Sequence, residues 1–303
     1  MKIGYPCINR SIGCKGGRTF RLRNYSEDRL IWTVRNNLDC LLTMLRFNLT
    51  HDILFFRITS DLIPFASHPV CQFDWQGWFR KELEEIGGFI QGNRIRISMH
   101  PDQFVLINAE DNGIVERSVK ELQYHAEVLD LMGLDETAKI QIHIGGVYKD
   151  KGKSMKRFIA TYGGLDEVIA RRLVIENDDT RYTAQDCLRL SADTGIPVLF
   201  DTFHHQLNGS GEGFPEILAH TGSTWQDTDG LPMVDYSTQS RNSRKGRHAE
   251  SIDSGEFAAF LENTKPFDFD IMLEIKDKER SASKAIELAS GDARFITASR
   301  AHA

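Results

Sequence analysis

The stretch IPVLFDTFHH, residues 196–205, decides how the chain is interpreted. An apolar run with the length of a buried β-strand ends directly on Asp201, and His204 and His205 follow it. Burying a charged group at the end of an apolar run is costly unless the group is paired or bound to a metal ion. The stretch therefore predicts a strand whose C-terminal end carries metal ligands.

The same pattern of a short strand followed by a helix recurs along the chain. The strand candidates are residues 2–7, 53–59, 94–100, 139–143, 173–176, 197–201, 231–236 and 269–275. Alternating strands and helices predict a parallel sheet with right-handed crossovers. Eight such units predict an α/β fold of the (β/α)₈ TIM-barrel type, with its active site at the C-terminal face of the strands. An open, doubly wound sheet is the alternative, because one sequence does not prove closure.

Two of the intervening segments show helical spacing clearly. Ser26 is placed to cap the first helix. Apolar residues recur on one face at Leu30, Val34, Leu38, Leu42 and Leu45 in the first helix and at Val115, Val119, Leu122, Ala126 and Leu129 in the second. Such one-sided patterns are typical of helices that cover a barrel.

Length and composition favour one domain in a soluble protein. The chain has 303 residues, of which 41% are hydrophobic and 26% are charged, and single α/β barrels commonly reach this size. We expect one catalytic domain over residues 1–303, and the order of residues 291–303 stays open. No apolar stretch approaches about 18 residues, and the N-terminus runs directly into a strand-like pattern. These features predict a cytoplasmic protein without a membrane partner.

The cysteines are Cys7, Cys14, Cys40, Cys71 and Cys187. Their odd number and the absence of CxxC spacing argue against a disulfide scaffold and against a zinc ribbon. We therefore expect reduced thiols.

Charge is distributed unevenly along the chain. The formal net charge is -6, whereas nucleic-acid binding usually needs a basic surface. Basic residues nevertheless gather after the first, fourth and seventh strand candidates. These three basic loops contain Lys15, Arg18, Arg21 and Arg23; Lys149, Lys151, Lys153, Lys156 and Arg157; and Arg241, Arg244, Lys245 and Arg247. In a barrel they share one face and would form a local positive surface, although ordinary solvated loops are the alternative explanation.

Side chains that can bind metal ions collect at the same predicted face. They are His100, His143, Glu176, Asp201, His204, Asp235, His248 and Glu274. Imidazole and carboxylate ligands without thiolates suit Zn²⁺, Mn²⁺ or Fe²⁺, and the surplus over the needs of one ion predicts two or three ions. Glu176, Asp201 and Glu274 are the natural bridging ligands. Salt bridging of the acidic residues inside the barrel is the alternative.

The remaining histidines are sorted by position. His51, His125, His220 and His302 lie outside the strand ends and are assigned solvent or structural roles. We expect His205 to point away from His204, because adjacent residues that leave a strand alternate faces. His205 is therefore a candidate for contacting the metal ligands without binding the ion itself, or for contacting the substrate.

The motifs, taken in order, resemble the UV damage endonuclease family, a group of metal-dependent TIM-barrel DNA repair nucleases. They are GYPC at 4–7 with Asn9, RITSDL at 57–62 with Pro64 and His68, SMHPDQF at 98–104, IHIGG at 142–146, IENDD at 175–179 and FDTFHH at 200–205. The resemblance covers roughly residues 1–290. So many motifs in the same order make chance agreement improbable.

The resemblance implies roles for individual residues. A cluster of up to three divalent ions, with Mn²⁺ expected and Zn²⁺ as the alternative, would be held by His100, His143, Glu176, Asp201, His204, His248 and Glu274. Glu176, Asp201 and Glu274 would also be catalytic. His68, also a predicted catalytic residue, would lie near the reacting strand, and Tyr5 and Asn9 would line the lesion side. Gln103 and Phe104 would enter the damaged duplex, where a Phe ring can stack on a base.

The seventh strand departs from the family. The family pattern there is Lys-x-His-x-Ser-Ser, whereas residues 233–238 read MVDYST. Asp235 can replace an imidazole as a ligand, since both groups bind Mn²⁺ or Zn²⁺. Met233 cannot replace a lysine or its carbamate, so it is assigned to the surroundings of the metal site. The third ion, the metal identity and the range of lesions therefore stay open.

The resemblance implies a DNA repair endonuclease. It would hydrolyse the phosphodiester immediately 5′ to UV photoproducts, both pyrimidine dimers and 6-4 photoproducts, in double-stranded DNA, join the nucleoid when acting, and need no protein partner. An apurinic/apyrimidinic-site endonuclease could use nearly the same metal centre. A sugar isomerase would act without DNA, which the basic loops speak against. A catalytically silent DNA-damage-binding protein would bind without nicking.

Overall fold

The fold is a closed parallel barrel, described for residues 1–209 and 211–301 in a computed structural model. The strands are β1 (Ile3–Pro6), β2 (Phe55–Ile58), β3 (Arg96–Met99), β4 (Lys139–His143), β5 (Leu173–Glu176), β6 (Val198–Asp201), β7 (Met233–Tyr236) and β8 (Asp270–Leu273). They follow one another around the barrel, and β1 pairs with both β2 and β8. The TIM-barrel prediction is confirmed, and the open sheet is excluded.

Helices follow the strands as the periodicity predicts. They are α1 (Glu27–Thr50), α2 (Trp75–Trp78), α3 (Arg80–Gly92), α4 (Asn112–Leu131), α5 (Lys151–Tyr162), α6 (Glu167–Ala170), α7 (Ala184–Thr194), α8 (Thr202–Asn208), α9 (Phe214–Gly222), α10 (Ser254–Asn263), α11 (Glu279–Ala289) and α12 (Ala298–Ala301), with 3₁₀ turns at Leu22–Asn24, Ser60–Leu62 and Asp227–Asp229. The Ser26 side chain accepts a hydrogen bond from the Arg29 N–H, which confirms the predicted cap. Leu41 is buried on α1, whereas Leu42 is only half-buried. Among the described residues, none of the helices has the length and apolar character needed to cross a membrane.

An apolar layer fills the barrel below its C-terminal mouth. Its members are Phe55, Val174, Leu199, Trp225, Met233 and Met272. The strand members lie two residues before Arg57, Glu176, Asp201, Asp235 and Glu274, and side chains with this spacing share one face of a strand. We call this layer the apolar plug. Met233 is 1% exposed within it, beneath the polar side chains of the mouth.

A polar network closes the N-terminal end of the barrel. Arg96 donates to Asp270 Oδ2 at 2.9 Å and to the Asp229 carbonyl at 2.9 Å. Asp270 also accepts a hydrogen bond from the Lys2 N–H at 2.6 Å, and the Lys139 ammonium pairs with the Asp229 carboxylate. Arg96, Lys139 and Asp270 are buried. These contacts join β3, β4 and β8 to the segment before β7.

Cys14 and Cys40 form a disulfide, so the expectation of reduced thiols was wrong for this pair. The loop after β1 lies against α1, where the Arg18 N–H donates to Asn37 Oδ1 at 2.8 Å and Gly16 approaches Met44. This packing brings together two cysteines that are 26 residues apart in the sequence. Cysteine number and spacing do not report such a contact. The other cysteines are free thiols.

The described part of the C-terminal segment packs against the N-terminal end of the barrel. Phe295 is buried, and the Ile296 N–H donates to the Met1 carbonyl at 3.1 Å. The Ala298 N–H donates to Asp52 Oδ1 at 2.7 Å. Residues 302 and 303, and with them His302, lie outside the described residues.

His125 should make folding stability depend on pH. It is fully buried on α4, its Nδ1 lies 2.7 Å from the Glu121 carbonyl, and burial lowers its pKa from 6.5 to about 4. Between these pH values the unfolded chain binds the extra proton, so His125 lowers stability by about 3 kcal/mol as pH falls through this window. His125→Gln should flatten the dependence of the urea-unfolding free energy on pH.

His220→Gln, which changes an exposed histidine on α9, is the control for this measurement. It should keep the wild-type slope between about pH 7 and about pH 4.5. Equal slopes in wild type and His125→Gln would contradict the assignment of the pH dependence to His125.

Candidate metal centre and nucleic-acid interface

Imidazoles and carboxylates converge at the C-terminal mouth of the barrel. Among the described residues, three groups have ligand atoms within 4.8 Å of one another: His100, His143 and Glu176; Glu176, Asp201 and His204; and Asp201, Asp235 and Glu274. The strand register contributes to this convergence, because His143 lies opposite Glu176 and Asp201 lies opposite Asp235. Glu176 and Asp201 each belong to two groups.

Glu176 lies between three imidazoles. Its Oε2 is 3.5 Å from His100 Nε2 and 3.6 Å from His143 Nε2, and its Oε1 is 3.0 Å from His204 Nδ1. The carboxylate is 1% exposed. The next residue, Asn177, aligns β5 with β6 by exchanging hydrogen bonds of 2.9 Å with the Asp201 backbone. The Asn177 side chain thus fixes the ends of β5 and β6, which carry the carboxylates of Glu176 and Asp201.

The pKa values reflect buried, interacting charges. Burial would raise the pKa of Glu176, but His143, His100 and His204 hold it well below its usual range. Burial raises the pKa of Asp201 well above its usual range, against the attraction of His204. Burial would lower the pKa of His204, but Asp201 and Glu176 raise it to about 11. Burial thus disfavours the charged form of Asp201, which a bound cation would stabilise.

The donor set fits divalent ions. Asp201 Oδ2 is buried, accepts no hydrogen bond within the described part of the chain, and lies 3.4 Å from His204 Nδ1. An unsatisfied buried carboxylate oxygen is costly unless a cation occupies its lone pair. Nitrogen and oxygen donors without thiolates match Mn²⁺ or Zn²⁺.

Arg57, the first residue of the RITSDL motif, is a member of the centre that was not predicted as a site residue. It is 3% exposed, its guanidinium contacts Glu274 through Nη1, and its Nη2 donates to Asp235 and to Gln141 Oε1. Burial would raise the pKa of Glu274, but Arg57 lowers it to about 2. Burial raises the pKa of Asp235 to about 7, with Arg57 opposing the shift. An arginine within the apolar strand FFRI was the available signal.

His204 and His205 differ in environment. Both lie on α8, which Asp201 caps by accepting from the His204 N–H at 2.6 Å. His204 faces the centre, whereas His205 packs edge-on against Phe200 and Phe214 and is 7% exposed. The divergence agrees with the prediction, but its cause is helical rotation of about 100° per residue instead of strand alternation.

His248 and His68 lie at different distances from the centre. His248 Nε2 is 4.0 Å from Glu274 Oε2, and its ring packs edge-on against Phe203. His68 is exposed beyond β2, where its Nδ1 accepts from the Val70 N–H at 3.0 Å. The structure thus brings His248 to the rim of the centre, while His68 lies in a neighbouring cleft.

Tyr5 and Asn9 are buried on the side of the barrel that faces α1. The Tyr5 hydroxyl donates to Asn48 Oδ1 at 2.7 Å and accepts from Asn9 Nδ2 at 2.9 Å. Tyr5 is fully buried, and Asn9 is 3% exposed. The structure does not bring these two side chains to the surface of the mouth.

Gln103 and Phe104 lie between two clefts. Gln103 lines a cleft of about 650 Å³ above the centre, together with His100, His143 and Glu274. Phe104 lines a neighbouring cleft of about 560 Å³ that also contains His68. Phe104 is 75% exposed, which is unusual for a large apolar side chain without a partner.

The basic loops follow β1, β4 and β7, as predicted, but the one after β4 is largely helical. Its members on α5 are Lys151, Lys153, Lys156 and Arg157. Most of their basic side chains are exposed. Some also pair with acids, such as Lys151 with Asp186 at 2.8 Å and Arg241 with Asp253 at 2.9 Å. The remaining positive charge is therefore greatest in the loop after β1, where Lys15, Arg18 and Arg21 are exposed.

Comparisons with known proteins identify the family of this chain. A family model described as UV-endonuclease UvdE matches residues 1–295. The UV DNA damage endonuclease of Clostridium perfringens (strain 13 / Type A) is 39% identical over 288 residues, which cover 94% of this chain and 70% of the relative. The crystal structure of SacUVDE is 44% identical, with a TM-score of 0.92 and coverage of 96% of this chain and 98% of the other.

A more distant likeness concerns the fold alone. D-psicose 3-epimerase from Clostridium cellulolyticum H10 is 12% identical, with a TM-score of 0.56 over 83% of this chain and 93% of the other. The barrel by itself therefore does not distinguish a nuclease from a sugar epimerase. The family match and the relatives above do so: this chain belongs to the UV-endonuclease UvdE family.

Proposed function

We propose that this protein hydrolyses the DNA phosphodiester immediately 5′ to UV photoproducts at a centre with two or three divalent ions. The observation that carries the proposal is the position of Glu176, which is shared by two ligand groups at the mouth of the barrel. Shared carboxylates suit adjacent ions. The relatives named as UV DNA damage endonucleases support the choice of substrate.

His100 and His143 would hold one ion with Glu176, while His204 and Asp201 would hold a second with the same carboxylate. Bound divalent ions, with Mn²⁺ expected, would activate water and stabilise charge on the attacking and leaving oxygens. Glu176 and Asp201 would keep their positions, because the side-chain amide of Asn177 hydrogen-bonds to the backbone of Asp201. Preorganised ligands avoid reorganisation during the reaction.

The clefts beside Gln103 and Phe104 would receive the damaged DNA. A photoproduct stacks and pairs poorly, so opening the duplex there costs less than opening intact pairs. Phe104 would stack on an exposed base, and the basic loops would bind the phosphates. His68, beside the second cleft, would lie near the reacting strand.

Nicking of a defined duplex tests the proposal. An end-labelled duplex with one pyrimidine dimer, incubated with the protein and Mn²⁺, should be cut immediately 5′ of the dimer, and EDTA should prevent the cut. A matched duplex with one abasic site distinguishes the alternative. Cutting of only the abasic duplex would support the apurinic/apyrimidinic endonuclease, and binding without any cut would support a silent damage-binding protein.

Phe104→Ala should weaken binding to the damaged duplex by roughly 10-fold, because base stacking on an aromatic ring contributes about 1–3 kcal/mol. Fluorescence anisotropy with a dimer-containing duplex measures the change. The side chain is exposed, so Tm should be unchanged. Val168→Ala is the control, because Val168 is 44% exposed on α6 at the opposite end of the barrel. Equal weakening in both variants would contradict a role for the Phe104 ring.

A further inference from the structure

Arg57 lies inside the third ligand group. That group contains only carboxylates, from Asp201, Asp235 and Glu274, whereas the other two groups also contain imidazoles. The Arg57 guanidinium pairs with two of the three carboxylates, Asp235 and Glu274. A positive charge is therefore already present where a third ion would bind.

The oxygens of Asp235 are engaged by this cation. Arg57 Nη2 lies 2.9 Å from Oδ1 and 2.7 Å from Oδ2, and Gln141 Nε2 donates to Oδ2 at 2.7 Å. Gln141 also accepts from Arg57 at 2.7 Å and donates to Glu176. The guanidinium stays protonated in proteins, so a metal ion could bind Asp235 only by displacing a buried cation or by lying beside it.

We propose that Arg57 takes the place of a third ion, so that this chain binds two divalent ions, in the groups that contain imidazoles. The inference rests on the metal-dependent function proposed above and narrows its ion number. Asp235 then positions Arg57 and is not a ligand. Arg57 would stabilise negative charge on the Glu274 side of the cleft, where a lysine-containing pattern is replaced by Met233 and Asp235.

Ion counting tests the proposal without DNA. The chain is stripped with EDTA, loaded with excess Mn²⁺, freed of unbound metal by gel filtration, and analysed by plasma mass spectrometry. We expect two Mn²⁺ per chain, and a value of three or of one overturns the proposal. Because no DNA is used, a two-ion protein that fails to nick the dimer duplex would contradict only the proposed function.

Three variants assign the ions to residues. Arg57→Gln should bind three Mn²⁺, since it removes the competing charge, and a count of two would overturn the role of Arg57. Asp235→Asn keeps the Arg57 pair with Glu274 and should retain two ions, so a loss of one ion would overturn the role of Asp235. His204→Gln is the positive control and should bind one ion. Asp235→Asn keeps the proposal testable if Arg57→Gln does not fold.

Discussion

Glu176→Gln is expected to lower the rate of nicking at a pyrimidine dimer by roughly 10³-fold or more. Glu176 belongs to both ligand groups that contain imidazoles, so the loss of its charge weakens the binding of both ions. Bound cations contribute several kcal/mol of transition-state stabilisation, and a loss of about 4 kcal/mol corresponds to about three decades in rate. Single-turnover nicking of an end-labelled duplex in Mn²⁺ measures the effect.

The fold should survive this substitution, because an uncharged amide is easier to bury than a carboxylate. Mn²⁺ should raise the Tm of the wild type and leave the Tm of Glu176→Gln nearly unchanged. Asp229→Asn is the matched control, since it neutralises a buried acid that pairs with Lys139 at the opposite end. It should retain both nicking and the Mn²⁺-dependent rise in Tm. A folded Glu176→Gln variant that nicks at the wild-type rate would exclude Glu176 as a required ligand.

Arg96→Met should lower the free energy of unfolding by roughly 3–5 kcal/mol, because it leaves a buried charge without its partner. Asp270, whose carboxylate is 2.9 Å from Arg96 Nη1, would retain only the hydrogen bond from the Lys2 N–H among the contacts described above. The carbonyls of Asp229 and Leu231 would lose their donor. Urea unfolding followed by circular dichroism gives the free energy.

A double-mutant cycle separates the ion pair from the packing of Arg96. The second variant is Asp270→Asn, and the third combines both changes. Removing both charges should cost less than the sum of the single changes, since neither variant group is then a buried unpaired ion. Additive losses would show that the pair itself contributes little, and that the packing of Arg96 against Trp225 carries the effect.

The barrel could be predicted because its evidence is local. Each strand lies within a predicted range, and the predicted ends coincide with the observed ends for β4 and β5 and differ by at most two residues elsewhere. The run at 94–100, for example, became Arg96–Met99, since the N–H groups of Arg94 and Ile95 donate to carbonyls at the end of α3 instead of to a neighbouring strand. The Cys14–Cys40 disulfide could not be predicted, because it depends on how the loop after β1 folds back onto α1.

The positions of the candidate ligands could be predicted from the sequence, whereas the contacts of the residues around them could not. The histidines and acids stand at strand ends, where parallel strands bring them to one face. Arg57 and Gln141 lie within their strands and not at the strand ends. Whether such buried polar side chains pair with acids or with each other depends on contacts across the barrel. Tyr5 and Asn9 show the reverse case, because a position near the mouth does not reveal which way a side chain points.

The apolar plug has a consequence for how this protein can evolve. Arg96, in the polar network at the N-terminal end, and His100, at the mouth, are four residues apart, which is about 13 Å along a strand. The apolar plug lies between the N-terminal network and the mouth. Substitutions at such separations are nearly independent in their effects on stability. Descendants can therefore exchange a residue of the centre such as Asp235, and with it the number of ions they bind, while the polar network at the N-terminal end continues to hold the barrel closed.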